Sequence, residues 1–287
     1  MTAHEVLMSD IFNFKIPAIP DYEVSYYFGN SGSTHSEHAY PFHMHDALEI
    51  YILLEGDVSF AVGSSLYKLS EGDAVITRPN EMHNCILNSD FTHRHLCLWF
   101  ECGSAFLFGD FISHEFGRGN LISPDAEAKK ELSRLYGELR EATDSKDTQR
   151  QFYITLQILY VLRKFVSTES PTQSLPDALA AILLDIDENF REMKGIEDII
   201  SRHFISRSTL NRLFREYLQT TPKKYIESKK LSYSRLMLRE GKNVHEACME
   251  AGFSDCSNYI RLFRNHFSMT PRQYRNEKRI IINGPGR

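Results

Sequence analysis

The chain is poor in cysteine: five in 287 residues, widely spaced and odd in number. That excludes the disulfide framework of a small secreted scaffold. No apolar run at the N-terminus has the form of a signal peptide, and no apolar stretch reaches the roughly 20 residues a membrane-spanning helix needs. A strong net charge is missing too, with 33 basic residues against 38 acidic, a formal −5. A cytoplasmic protein with no membrane partner is the expectation, and the length suffices for two domains with separate cores.

The small net charge conceals a division. From Asp177 onward the chain has 20 Lys and Arg against 14 Asp and Glu, whereas the residues before it have 13 against 24. A basic half implies a polyanionic partner. That half also carries the most informative stretch, Asn243 to Arg275. Val244, Ala247, Cys248 and Ala251 give a first helix a small apolar face. Gly252 falls where a tight turn needs positive φ, and Asp255 is placed to cap the next helix. Tyr259, Leu262, Phe263 and Phe267 then share one face, which turns Ser257, Ile260, Arg261 and Arg264 elsewhere. Thr270-Pro271 opens a further segment.

The same pattern occurs once more at a constant offset of 49. Ser206 overlies Asp255, Leu213-Phe214-Arg215 overlies Leu262-Phe263-Arg264, Thr221-Pro222 overlies Thr270-Pro271, and Tyr225 overlies Tyr274. One fixed offset over several residues marks a true internal repeat. GFSDCSNYIRLFRNHFSMTPRQYR, with its upstream copy, resembles the paired helix-turn-helix domain of AraC/XylS-type transcription regulators. Ile200 and Cys248 depart from the resemblance by standing where the family usually has Ala.

Earlier in the chain, residues 1 to about 20 have no period, and Pro17 and Pro20 suggest an extended arm; in the resembled family such arms can lie across the ligand pocket. From about Tyr22 to Glu101, short strands separated by Gly-containing turns read as a β-sandwich or barrel. Within it, His43-Met-His45, Glu49 and a later His83 resemble the two cupin motifs. Residues of like parity on a strand share a face, so His43, His45 and Glu49 can converge, with His83 arriving from another strand. The Gly expected before the first His is missing, Glu81 replaces a Gly near Pro79, and His83 lies one residue closer to that Pro than in the cupin pattern. Three readings of the cluster stay open: a divalent transition metal held by His43, His45, Glu49 and His83, a metal-free pocket for a small polar effector, or a structural group. His93 and His95 are expected at the surface or the edge of the core, and His35 and His38 in a solvated loop.

The period turns helical from Asp125. Ala128, Leu132, Leu135 and Leu139 form one stripe, and Phe152, Leu156, Leu159 and Tyr160, with Leu162 and Phe165 nearby, form a second. So apolar a pair needs a partner, either the sandwich or a second copy of the chain, and the expectation leans to a homodimer. Residues 167–176, rich in Ser, Thr and Pro, read as a linker. Leu179, Ile182, Leu183, Ile186 and Phe190 then face inward on a helix, and Tyr225 to Arg239 reads as one long helix ended by Gly241. Such a spacer would set the two reading helices in successive major grooves, about one helical turn (~34 Å) apart.

The fold expected is therefore α+β: a cupin-like sandwich with trailing helices over 1–166 for effector binding and dimerisation, a linker over 167–176, and an all-α double helix-turn-helix domain over 177–287. Ser208, Asn211 and Arg212 in the first reading helix, and Ser257, Ile260 and Arg261 in the second, are the candidates for base contacts. Arg207, Arg215, Lys223, Lys224, Arg264 and Arg272 are placed for phosphates. The resemblance implies a regulator that binds double-stranded DNA and a small-molecule effector, a sugar or related polar metabolite, with RNA polymerase as a further partner. No cofactor is required by it, and no second acid/base constellation supports an enzyme. A metal-dependent cupin enzyme with a DNA-binding tail, and a DNA-binding protein with a purely structural cupin, are the opposed readings.

Overall fold

The structure, a computed structural model, describes residues 11–15, 23–31, 42–45, 47–89, 92–101, 105–114, 117–167, 173–267 and 269–277. Its first half is mainly strand: β1 (Ile11–Lys15), β2 (Glu23–Ser31), β3 (Ala47–Glu55), β4 (Val58–Val62), β5 (Ser65–Lys68), β6 (Ala74–Thr77), β7 (His83–Leu87) and β8 (His93–Glu101). Helix α1 (Ala105–Ile112), β9 (Leu121–Ile122), α2 (Ala126–Asp144), α3 (Thr148–Arg163) and β10 (Gln173–Ser174) follow. The strands form a six-stranded sheet, β1-β2-β8-β3-β6-β9, and a four-stranded one, β10-β5-β4-β7, paired antiparallel. Part of the expected N-terminal arm is thus an edge strand on β2. His35 and His38 lie outside the described residues.

Alternation along the strands decides the layers. On β3 and β8, Leu48, Ile50, Leu96, Leu98 and Phe100 face outward and pack with Leu132, Leu135 and Leu139 of α2 and Ile154, Ile158 and Leu162 of α3. The intervening positions, among them Tyr51, Cys97 and Trp99, face inward toward Val58, Phe60, Val62 and Cys85 of the small sheet. The helical stripes therefore find their partner in the large sheet, and this burial does not call for a second copy. Tyr153 and Tyr160 stay exposed on the far side of α3, although Tyr160 was expected in the stripe.

The second half is helical: α4 (Asp177–Asn189), α5 (Ile196–His203), α6 (Arg207–Leu218), α7 (Pro222–Arg239), α8 (Val244–Glu250), α9 (Cys256–Phe267) and α10 (Pro271–Glu277). Local chemistry marks their ends. Ser206 Oγ accepts from Thr209 N at 3.1 Å, and Asn243 and Glu246 cap each other's backbone reciprocally. Thr221 caps α7, with Pro222 at its first turn. Gly241, at φ +94°, closes that helix.

Two cores divide these helices. Tyr259, Phe263, Phe267 and Tyr274 pack with Leu231 and Leu238 of α7 and with Ala247, Cys248 and Ala251. The first unit builds the other from Leu179, Ile182, Leu183, Ile186, Ile199, Leu210, Phe214 and Tyr225. Phe42, Met44, Ala61, Leu66, Met82 and Ile86 of the sensor half join this second cluster, so the first reading unit and the small sheet share one core. The strand pair between β10 and β5 carries the chain across that junction. At the offset of 49, Cys248 corresponds to Ile199, which is fully buried, rather than to the half-buried Ile200.

Candidate functional site

His43, His45, Glu49 and His83 do come together, with one ligand atom from each within 4.8 Å of all the others. The means is a bridge between His43 and His83, whose backbones exchange hydrogen bonds of 3.1 and 2.9 Å. Glu49 enters from β3. Its Oε2 lies 2.7 Å from His45 Nε2 and 3.2 Å from His83 Nε2. His45, Glu49 and His83 are buried.

The opposite ring nitrogens settle the tautomers. His45 Nδ1 is 2.9 Å from the Ala47 carbonyl and His83 Nδ1 is 2.8 Å from the Glu81 carbonyl. A carbonyl only accepts, so each Nδ1 carries the proton. Glu49 Oε2 therefore meets Nε2 of both rings, and a ring that donates to it from Nε2 carries both protons. Burial lowers the His45 pKa against the pull of Glu49, and hydrogen bonding with His45 and His83 overcomes burial to hold the Glu49 carboxyl well below the usual carboxylate range. A buried carboxylate between two imidazole Nε2 atoms is a site for a cation, which would take the place of any proton there, or for a donor-rich ligand.

Glu81, the departure from the cupin pattern, is a strut. It is buried, accepts from Arg78 Nη1 at 2.9 Å, and holds Gly117 N and Asn120 Nδ2 at 2.6 and 2.9 Å. It braces the 117–120 loop under the site instead of entering it.

His93 and His95 correct the sequence expectation. Both are buried, on the inner face of β8, where their rings stack at 4.5 Å and His93 hydrogen-bonds the Tyr51 hydroxyl. Burial lowers the pKa of His93 to about 4, so it is neutral at physiological pH. Register completes the interior: Trp99 and Thr77 sit on either side of Glu49 in neighbouring strands. Trp99 Nε1 and Thr77 Oγ1 are buried, and neither has a hydrogen-bond partner among the described residues. Neither was singled out from sequence; Trp99 shares a face of β8 with Cys97, but only the strand register brings that face to Glu49.

On the DNA-binding half, the reading helices leave their polar faces open. Ser208 and Arg212 on α6, and Ser257, Ile260 and Arg261 on α9, are exposed; Asn211 is half-buried. Arg207, Arg215, Lys223, Lys224, Arg264 and Arg272 are exposed as well. Arg212 pairs with Glu216 at 3.0 Å, and Arg261 donates to Asn258 Oδ1 at 2.7 Å, contacts that a base edge could replace. Between the units, the Lys230 ammonium on α7 donates to Met193 O at 2.6 Å and Gly252 O at 2.7 Å, tying the turn of the second unit to the segment between α4 and α5.

A sandwich with a polar interior joined to two open-faced reading units defines a one-chain sensor and DNA reader. Residues 32–155 match the model of the AraC-like ligand binding domain, and residues 200–277 match a helix-turn-helix domain model. The chain belongs to the AraC family of DNA-binding transcription regulators with a ligand-binding domain. It is 25% identical to the HTH-type transcriptional activator RhaS of Citrobacter koseri, over 77% of this chain and 82% of that protein. It is 21% identical to the HTH-type transcriptional regulator YdeC of Bacillus subtilis, over 77% and 80%. Among solved structures, ToxT of Vibrio cholerae aligns over 92% of this chain and all of that one, at 15% identity and a TM-score of 0.39. These curated relatives are transcription regulators. No helix among the described residues is long and apolar enough to cross a membrane.

Proposed function

We propose that the protein reads an asymmetric DNA site through two successive major grooves and is switched by a small polar metabolite held inside the sandwich. The observation that carries the first part is the pair of exposed, basic-edged helices fastened to one spacer helix. Ser208, Asn211 and Arg212, with Ser257, Ile260 and Arg261, contact base edges; Arg207, Arg215, Lys223, Lys224, Arg264 and Arg272 contact phosphates. A homodimer, contact with RNA polymerase and a cytoplasmic setting complete the reading. Arg261→Ala is expected to cost about 1–3 kcal/mol at the cognate duplex and little on random DNA. Lys223→Ala should weaken both alike and flatten the salt dependence. Fluorescence anisotropy on a duplex selected from a random pool separates them, and equal losses for Arg261→Ala on both DNAs would make Arg261 a phosphate contact.

For the effector, the unpaired Trp99 N–H and Thr77 hydroxyl on either side of Glu49 favour a polyhydroxylated ligand, a sugar or a related metabolite, whose hydroxyls would satisfy them. Thr77→Val is expected to leave stability unchanged or raised, because the hydroxyl has no partner to lose among the described residues. The same variant should lower affinity for the sugar at least tenfold, read by calorimetry over a panel of sugars. A destabilised Thr77→Val variant with full affinity would sink this assignment.

A second reading has its own observation. Carbonyl contacts on Nδ1 leave Nε2 of His45 and His83 as the ligating atom, and with His43 and Glu49 these suit a divalent transition metal that displaces any Nε2 proton. Bound there, the ion would supply a Lewis-acidic point for the ligand's oxygens. Calorimetry with Zn²⁺ on Glu49→Gln and on the parent protein tests it, with loss of binding in the variant expected.

Either occupant lies beside Met44, whose carbonyl accepts from Arg235 of α7. Filling the pocket would act on DNA affinity through its different affinity for two arrangements of that contact.

A further inference from the structure

Unlike the first reading unit, the second carries two thiols and an imidazole where its turn meets the reading helix. Cys256 is the first residue of α9, half-buried, and its Sγ lies 3.5 Å from Nδ1 of the exposed His245 on α8. Cys248, fully buried on α8, donates to Phe253 O at 3.9 Å, and the Cys256 thiol across the turn is near enough to help raise its pKa. At the offset of 49, the first unit has Ile199 and Arg207 in place of the two cysteines. The packing of that unit therefore does not need thiols. Neither cysteine has a part in the DNA contacts or effector pocket described above.

We propose that Cys256 and Cys248 form a peroxide-sensitive thiol pair that releases the second reading helix from DNA. His245 Nδ1 takes the Cys256 proton, and the thiolate is the species that reacts. Its sulfur attacks one oxygen of a hydroperoxide; the O–O bond breaks and the other oxygen leaves, taking the proton from His245 as water or alcohol. Cys256 is thereby oxidised by two electrons to the sulfenic acid and the peroxide is reduced. The Cys248 sulfur then displaces the sulfenic oxygen, the S–S bond forms, and that oxygen leaves with the Cys248 proton as water. Burial holds the Cys248 thiol up at about 12, so it waits as a protonated resolving partner until the sulfenic acid is made.

The consequence follows from placement. A disulfide brings its sulfurs to about 2.05 Å, closer than two unbonded thiols can approach. Closing it draws the N-terminal turn of α9 onto α8, and that turn presents Ser257, the residue next to Cys256. Base contacts come from the N-terminal residues of a reading helix.

The DNA part of this proposal rests on the regulator reading above; the chemical part does not. Full-length reduced protein is treated with a few equivalents of hydrogen peroxide, and peptide mass mapping is run beside anisotropy on a duplex selected by the reduced protein. Expected are a Cys248–Cys256 cross-link, a fall in affinity of at least tenfold, and recovery with dithiothreitol. Cys248→Ala, which installs the residue the family usually has there, should bind DNA when reduced and stop at a dimedone-trapped sulfenic acid on Cys256. Cys256→Ser should bind DNA and ignore peroxide. The absence of both the cross-link and the dimedone adduct overturns the proposal, as does an equal affinity loss in the doubly substituted chain. Failure of the reduced protein to select any duplex would instead count against the regulator reading, with the mass result still deciding the thiol chemistry.

Discussion

Gly252→Ala is expected to cost more than about 4 kcal/mol and to abolish binding to the selected duplex. The turn it occupies has φ +80°, a region that an L side chain enters at a cost of roughly 1–2 kcal/mol. That cost is the smaller part. A Cβ built on Gly252 would lie 1.9 Å from the carbonyl oxygen of Arg191, 2.7 Å from its carbon and 2.8 Å from its Cα. These are backbone atoms, so no rotamer change makes room. Lys230 holds the same junction from below through Met193 O and Gly252 O, and the chain cannot back away without breaking those bonds. The second unit must therefore shift against the first, and both reading helices can no longer be held at one spacing. Gly241→Ala is the control. Its φ of +94° makes the same backbone demand, but nothing lies within 4 Å of the added carbon, and about 1–2 kcal/mol is expected. Thermal unfolding of the two variants beside the parent decides the matter; equal melting for Gly252→Ala and Gly241→Ala would remove the steric argument.

The helical half was readable because its information is local and stated twice. Caps at Ser206 and Asp255 and the Thr-Pro starts at 221 and 270 repeat at one offset, so each unit checks the other. His43, His45, Glu49 and His83 were readable for a similar reason, since the spacing of the first three and a later histidine suffice to suggest convergence, although only Glu49 lies on β3. His93 and His95 were not. The run from His93 to Phe100 opens on three consecutive polar residues, His93-Arg94-His95, and the usual inference puts such a cluster at the surface or the edge of the core. Here α2 and α3 cover the outer face, so Leu96, Leu98 and Phe100 point to helices and the histidines point inward. Nothing local says that a strand will be covered on both sides. The docking of the first reading unit on the small sheet was equally silent, because Phe42, Met44 and Met82 read as ordinary core residues of the sensor half.

That docking contains the second large effect, at Arg235. This residue of α7 is only 3% exposed, and burial lowers its pKa. Its guanidinium donates to the carbonyl of Met44, between the two pocket histidines, and lies 5.1 Å from the ring centre of Phe267 in the second unit's core. One side chain thus touches the sensor and the core behind the second reading helix. Arg235→Ala removes a charged hydrogen bond worth about 1.5–3 kcal/mol, leaves a buried carbonyl without that donor, and opens a cavity. A total near 3–5 kcal/mol is expected, read as a lower denaturant midpoint. Arg235→Met separates structure from signalling. It keeps most of the stem and its packing, and replacing a buried charge by an apolar side chain of similar volume is often nearly neutral in stability. If pocket occupancy reaches the spacer through Met44, Arg235→Met should fold, bind the selected duplex, and still bind effector in calorimetry, while effector no longer changes its DNA affinity. Retention of the full effector response in Arg235→Met would place the coupling elsewhere in the junction, at Phe42 against Tyr225 in the shared core or at the exposed contact of Gln219 with the Leu87 carbonyl.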